Sequence, residues 1–252
     1  MKTLNASRGL GDALYLRAVV LHLLERKEEV TVFTPWREVF ADLPITVKSA
    51  KEATGDEDWH HAKPCLHCRM EEMQRLDQFA MCGLQAGITE PVDLRLNWAP
   101  KNAELVKSVR RHAMARPILV FQPLKKANNT NEALTRPDAF ALRKSLEVRS
   151  EYFRVKVGHP THLDDDRFPC ELDLFGKTSV RDALDICAIA DLIVSETSFL
   201  TVAAQGMNKN FVCIFSGRGR DSGRHRIMNI NPDRIFHKKW LGTAVYDDRC
   251  AS

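Results

Sequence analysis

The chain has 252 residues, 44% of them hydrophobic and 28% charged, with a formal net charge of +4. That length carries two small domains or one large one, and no apolar run approaches the roughly 18–20 residues that cross a bilayer. Arg8 and Asp12 follow soon after Lys2, which speaks against a secretory leader; seven scattered cysteines, an odd number, fit reduced thiols rather than a disulfide framework. The expected compartment is the cytoplasm.

Apolar segments along the chain alternate between strand-like and helix-like. A short apolar start at Leu4 leads into a helix over Asp12–Arg26, predicted to be amphipathic. Val30–Phe33 is a β-branched strand and Ile45–Val47 another, so the first third reads β-α-β-α-β. Gly55–Arg75 reads as a charged loop followed by a helix, and Gly83–Pro100 as irregular, punctuated by Pro91 and Pro100. A second series opens with the strand Ile118–Phe121. It continues with helix Asp138–Leu146, strands Tyr152–Val157 and Leu172–Leu174, and helix Val180–Ala190. Strand Leu192–Ser195, helix Phe199–Gln205 and strand Phe211–Phe215 complete it. Two such alternating series predict two α/β units with parallel sheets. The boundary is expected between about Pro100 and Pro117, giving domains 1–110 and 111–252.

"SRGLGDALYLRA" (Ser7–Ala18) places two glycines just ahead of one carboxylate. A dinucleotide fingerprint would need a third glycine where Leu14 stands and an acid at the end of the second strand, where Phe33-Thr34 stand. A P-loop would need G-x-x-x-x-G-K-[ST], which is absent. Gly9 and Gly11 therefore permit close approach to the backbone, and Asp12 either caps the helix or is presented to a substrate at the sheet edge where open α/β folds keep their ligands.

In the second series, Gly176-Lys177-Thr178-Ser179 precedes a helix, and "SETSFLTVAAQG" (Ser195–Gly206) turns from a buried strand into a helix rich in small residues. Free N–H groups at that helix start, with the hydroxyls of Thr197 and Ser198, would bind an anion. Together these stretches resemble the heptosyltransferase-like glycosyltransferases, family nine of the GT-B class. "GLGDALYLRAV" is similar to that family's G-x-G-D loop. "GKTSVRDALDICAIADLIVSETSFLTVAAQG" is similar to its donor-side stretch, and "ILVFQP" with "TRPDAFALRKSL" to the opening of its second domain. The chain departs from the pattern at Glu196-Thr197-Ser198, where the family has Asp-Ser-Gly, at Thr201, where it often has His, and at Arg136-Pro137, where it has Lys-x-Trp-Pro. The chain also reads as shorter than typical members, the difference falling in the acceptor-binding half.

The resemblance implies two facing Rossmann-like domains, the first binding acceptor and the second a nucleotide-sugar, with no further cofactor and no metal. It implies Asp12 as general base on an acceptor hydroxyl, with inversion at the anomeric carbon. A carboxylate beside a glycine turn can take that proton. The donor-binding set is Gly11, Lys125, Arg136, Lys177, Thr178, Glu196, Thr197, Ser198 and Arg218. Arg8, Arg220 and Arg224 form the acceptor-binding set.

Two further stretches bear on function. "HHAKPCLHCRM" (His60–Met70) offers Cys65, His67 and Cys68 to a metal, but one C-x-x-C is half a structural site and no second pair follows. A zinc deaminase would need an upstream H-x-E, which is missing. "SGRGRDSGRHR" (Ser216–Arg226) alternates arginine with glycine after the last clear strand and suits phosphate contacts to a donor or to a nucleic acid. That loop, the net charge and the short first half favour a 5-hydroxymethylpyrimidine in DNA as acceptor, as in phage-type DNA modification. The alternatives are a lipopolysaccharide or other saccharide acceptor, or a non-catalytic binding protein of the same fold. A dedicated DNA-binding module lacks its helix-turn-helix or zinc-finger signature.

Overall fold

The computed structural model describes residues 1–6, 9–57, 59–60, 78–88, 94–123, 136–159, 168–196, 198–215, 235–240 and 243–247. They fall into two compact units that meet in sequence at Asn97 and Trp98.

The first unit is built on a four-stranded parallel sheet, with strands β1 (Lys2–Asn5), β2 (Val30–Phe33), β3 (Thr46–Lys48) and β4 (Trp59–His60) in the order β3-β2-β1-β4. β2 is buried at every position, as expected of a parallel strand covered on both faces. Helix α1 (Leu10–Glu25) follows β1 and is buried from Ala13 to Val20 without interruption. It is therefore not the amphipathic helix expected. Its faces are taken by neighbours: Tyr15 meets Phe79 of α2 (Gln78–Gln85) edge-on, with ring centroids 4.8 Å apart. Arg17, 2% exposed, reaches the turn after β2. Its guanidinium donates to both Asp42 oxygens at 2.8 and 2.9 Å, and to the Val39 carbonyl. The second helix expected between the strands is only the one-turn 3₁₀ segment Arg37–Val39. Pro35 and Pro44 bracket this segment and Arg17 pins it, which leaves no length for an α-helix. β4 lies in a stretch read as loop; two residues are too few to show a period.

The second unit begins with Trp98 and contains α3 (Ala103–Ala113). The division thus falls before α3 rather than at 110/111, because α3 and the segment entering it are fastened to α5 (Val180–Ile189). The Asp185 carboxylate, wholly buried, takes the Trp98 indole N–H at 2.7 Å and the Lys101 and Asn102 backbone N–H groups at 2.8 Å each. Asn102 caps α3 by accepting from Leu105 N–H at 3.1 Å, and its amide donates to Asp182 at 2.7 Å.

The sheet of this unit has seven strands in the order β10-β11-β9-β8-β5-β6-β7. β5 (Ile118–Phe121), β6 (Phe153–Lys156), β7 (Leu172–Asp173), β8 (Leu192–Glu196) and β9 (Asn210–Phe215) are parallel. β10 (Ile235–Trp240) and β11 (Thr243–Asp247), which the sequence reading did not foresee, extend it antiparallel beyond β9. Helices α4 (Arg136–Glu147), α5 and α6 (Phe199–Gly206) make the crossovers. Leu119, Phe121, Leu142, Leu146, Phe168, Leu192, Val194 and Val212 form one core cluster. α5 starts with a reciprocal cap: Ser179 Oγ accepts from Asp182 N–H at 3.1 Å, while the Asp182 carboxylate accepts from Ser179 N–H at 3.2 Å.

Candidate functional site

In open α/β sheets ligands sit outside the carboxyl ends of the strands, where the strand order reverses. Each unit has one such point. In the first it lies between β1 and β4, the neighbours flanking the start of the winding. β1 ends there at Asn5, in register with His60, and α1 begins five residues on, at Leu10.

Gly9 is the N-cap of α1, with φ −89° and ψ 148°. Gly11 lies in the first turn. Asp12 is not the N-cap that the sequence allowed; it stands at the third helical position, and its Oδ2 accepts from the Gly9 N–H at 3.0 Å. A carboxylate in the first helical turn also meets the positive end of the helix dipole. A Cβ built on Gly9 would lie 2.7 Å from Asp12 Oδ2, so the carboxylate occupies the space that any larger N-cap would take. Arg8 lies outside the described residues.

Behind this turn stands a group that the sequence reading missed. Asn5 is 1% exposed, and its Nδ2 reaches Glu57 Oε2 at 3.5 Å. Glu57 accepts backbone N–H groups from Thr54 at 2.7 Å and Gly55 at 3.1 Å. Burial pushes the Glu57 carboxyl up, but those N–H groups and Asn5 outweigh it and hold the group below the usual carboxylate range. Asn5 Oδ1 is buried and has no hydrogen-bond partner among the described residues. A polar residue closing an apolar strand just before a glycine turn was the available signal.

In the second unit the order reverses between β5 and β8. β8 ends at Glu196, and α6 starts from Ser198 as N-cap. The amides that the sequence reading took as free are partly claimed. Leu200 N–H donates to Ser198 Oγ at 3.2 Å, and Ser198 N–H to Thr201 Oγ1 at 3.1 Å. Thr201, where the resembled family often has His, is 1% exposed and donates its own proton to the Ser198 carbonyl at 2.7 Å. Ser195 Oγ, also buried, lies 2.7 Å from Ser198 Oγ. The turn is thus braced by three hydroxyls.

Lys177 and Thr178 follow β7, separated from β8 by β5 and β6. Three strand spacings place the two strand ends about 14 Å apart, so these residues and Ser198 follow different strand ends. The Lys177 ammonium donates to the Asp173 carbonyl at 3.0 Å, closing a turn in which Gly176 has φ +68°, a conformation glycine adopts without strain. Lys156, 2% exposed, pairs with Asp173 at 2.7 Å. Arg136 opens α4 and Glu196 closes β8, while Lys125, Thr197, Arg218, Arg220 and Arg224 lie outside the described residues. So do Cys65, His67 and Cys68. Among the described residues no cluster of three or more His, Cys, Asp or Glu could hold a metal. Cys82, Cys170, Cys187 and Cys213 form no disulfide among the described residues, and burial pushes Cys187 up to about 12. No helix among the described residues is long and apolar enough to cross a membrane.

Solved structures share this architecture. The iron-containing dodecameric glycosyltransferase TibC of enterotoxigenic E. coli superposes with a TM-score of 0.55 at 11% identity, over 84% of this chain and 58% of its own. TibC in complex with ADP-D-β-D-heptose gives 0.56 at 10% identity, over 85% and 58%. A glycosyl transferase family 9 protein of Veillonella parvula gives 0.56 at 12% identity, over 85% of this chain and 80% of its own. The chain has their fold. It is an α/β protein of the GT-B kind, with a parallel sheet in the first unit and five parallel strands extended by two antiparallel ones in the second, and it spans 58% of the length of TibC. No protein-family model matches the sequence, and no curated protein matches it.

Proposed function

We propose that the chain is a nucleotide-sugar-dependent inverting glycosyltransferase acting on a saccharide hydroxyl. The observation that carries this reading is the fold likeness over 84–85% of the chain to glycosyltransferases, one of them holding ADP-heptose. Two local features agree with it: Asp12 lies at the reversal point of the first sheet, and the hydroxyl-braced start of α6 at that of the second.

On this reading the second unit binds the donor. Its diphosphate approaches the α6 start at Thr197 and Ser198, with Glu196, Arg136, Lys125 and Arg218 around it. Lys177 and Thr178 take a more distant part of the nucleotide-sugar, and Gly11 belongs to the same donor-binding set by the resemblance. Arg8, Arg220 and Arg224 meet the acceptor. The acceptor oxygen attacks the anomeric carbon as the bond to the diphosphate breaks. Its proton passes to Asp12, the nucleoside diphosphate leaves, and the carbon inverts. The donor is a co-substrate; no other cofactor is invoked.

The arginine-rich stretch that favoured a DNA acceptor lies outside the described residues, and none of the three structures above is described as acting on DNA. A saccharide acceptor is therefore the reading proposed. The test is a thermal-shift panel of nucleotide-sugars, headed by ADP-heptose. A donor at about 100 times its dissociation constant adds about 2.7 kcal/mol to stability. Transfer to core saccharides and to hydroxymethylcytosine or hydroxymethyluracil duplexes is then read by mass spectrometry. A mass gain on a saccharide supports the proposal; gain on the duplex alone moves the acceptor to DNA. Donor binding with no transfer to saccharide, duplex or water makes the chain a binding protein.

A further inference from the structure

We infer that Gly9 is a positioning residue for Asp12, a deduction that rests on the general-base reading above. N-caps are usually Ser, Thr, Asp or Asn, whose side chains accept an orphan N–H of the first turn. α1 keeps only half of the reciprocal cap that Ser179 and Asp182 form at α5. Its N-cap has no side chain, and the carboxylate at the third helical position folds back to accept the N-cap's own N–H at 3.0 Å. The backbone of Gly9, at φ −89° and ψ 148°, is one any residue adopts. Conformational freedom therefore does not explain the glycine; space does. A Cβ there would stand 2.7 Å from Asp12 Oδ2 and 3.5 Å from Asp12 Cγ. The obstacle is the end of a side chain rather than backbone, so a larger residue folds, but the carboxylate must leave its present position; at α5, beside a serine N-cap, the Asp182 carboxylate stands 3.2 Å from the amide it accepts. Gly9 thus gives up an ordinary cap, and the vacated space fixes the direction of Asp12 at the sheet's reversal point.

This account makes stability and turnover move differently. Gly9→Ser supplies a capping hydroxyl where glycine has none, and on cap preferences alone changes stability by only a few tenths of a kcal/mol. It also displaces the carboxylate, and a misplacement of about 1 Å in a catalytic group costs up to 10²-fold.

The experiment measures kcat, acceptor KM and thermal midpoint for Gly9→Ser and Gly9→Ala in the full chain, each alone and combined with Asp12→Ala. The donor is the nucleotide-sugar that the panel identifies. We expect kcat to fall about 10- to 100-fold in both Gly9 variants, with KM and midpoint near wild type. In the Asp12→Ala background, where no carboxylate remains to displace, the Gly9 changes should cost nothing further. A crystal structure of Gly9→Ser should show the Asp12 carboxylate moved from the residue 9 amide. Wild-type kcat in a folded Gly9→Ser chain overturns the inference and leaves Asp12's role intact. So does an equal loss with and without Asp12, since the effect then runs through another group. Full turnover in Asp12→Ala alone overturns the general-base reading itself, and the inference with it.

Discussion

The Asp185 carboxylate accepts the Trp98 indole N–H at 2.7 Å across 87 positions of sequence. It accepts two backbone N–H groups as well, from Lys101 and Asn102, and the Arg181 guanidinium lies 5.1 Å from the Trp98 ring centroid. One buried side chain on α5 thereby fixes where the second unit begins.

Asp185→Ala strands the buried Trp98 indole N–H and two partly buried backbone N–H groups at once. A buried donor without its acceptor costs about 1–3 kcal/mol, so urea unfolding should show a loss of at least about 1 kcal/mol. Trp98→Phe removes one donor and leaves two in place, and should cost less than half as much. An Asp185→Ala chain as stable as wild type would mean that the staple is not what holds this entry segment.

Asp12→Asn keeps a short polar side chain at the third position of α1 but cannot take up a proton as a carboxylate does. General-base catalysis contributes about 10²–10⁴-fold. Turnover should fall by that factor, while donor affinity measured by calorimetry stays at the wild-type value. Turnover near wild type would leave Asp12 a structural part of the α1 start and not a base.

Ser198→Ala removes the hydroxyl that takes Leu200 N–H and meets Ser195. Loss of the cap should cost about 1 kcal/mol of stability. If the donor's diphosphate lies there, its affinity should fall by roughly ten- to a hundredfold, the worth of a hydrogen bond to a charged group. Proline is the poorer probe at this position, since Ser198 has φ −145° and proline demands about −65°. Unchanged donor affinity in folded Ser198→Ala would remove the α6 start from the donor site.

Glu171 predicts an acid-sensitive term. Burial pushes its carboxyl up, but hydrogen bonds from the side chain and backbone of Arg154 and from Arg116 outweigh this and hold it at about 2, against 4.5. Its folded value is depressed, so its stabilisation is fully present above about pH 4.5 and drains away as pH falls toward 2. The stability gap between wild type and Glu171→Gln should therefore be widest near neutrality and close across that window. Chemical unfolding at intervals of half a pH unit measures it. A constant gap would assign the Glu171 effect to packing.

Local sequence determined much of this protein. The short β-branched and apolar runs Val30–Phe33, Ile118–Phe121 and Leu192–Val194 read as strands buried on both faces, and the helices between them made the sheets parallel. The Ser179–Asp182 box marked the start of α5 because both partners lie within one helical turn. Asp12 and Ser198 were visible because glycine turns and strand-to-helix switches leave local residue patterns. Tertiary structure alone decided the rest. The α1 period misled because α2, β2 and the Arg37–Val39 turn all pack against the helix, and periodicity reports one-sided burial only. The unit boundary moved because Asp185 contacts Trp98 from 87 positions away, a separation that no local window spans. Asn5 and Glu57 gave no sign of meeting, since neither residue type nor spacing encodes a contact across two strands. Nor could the sequence say that Lys177 and Ser198 stand at different strand ends, because strand order is set by which apolar faces pack together and not by the order in which strands are made.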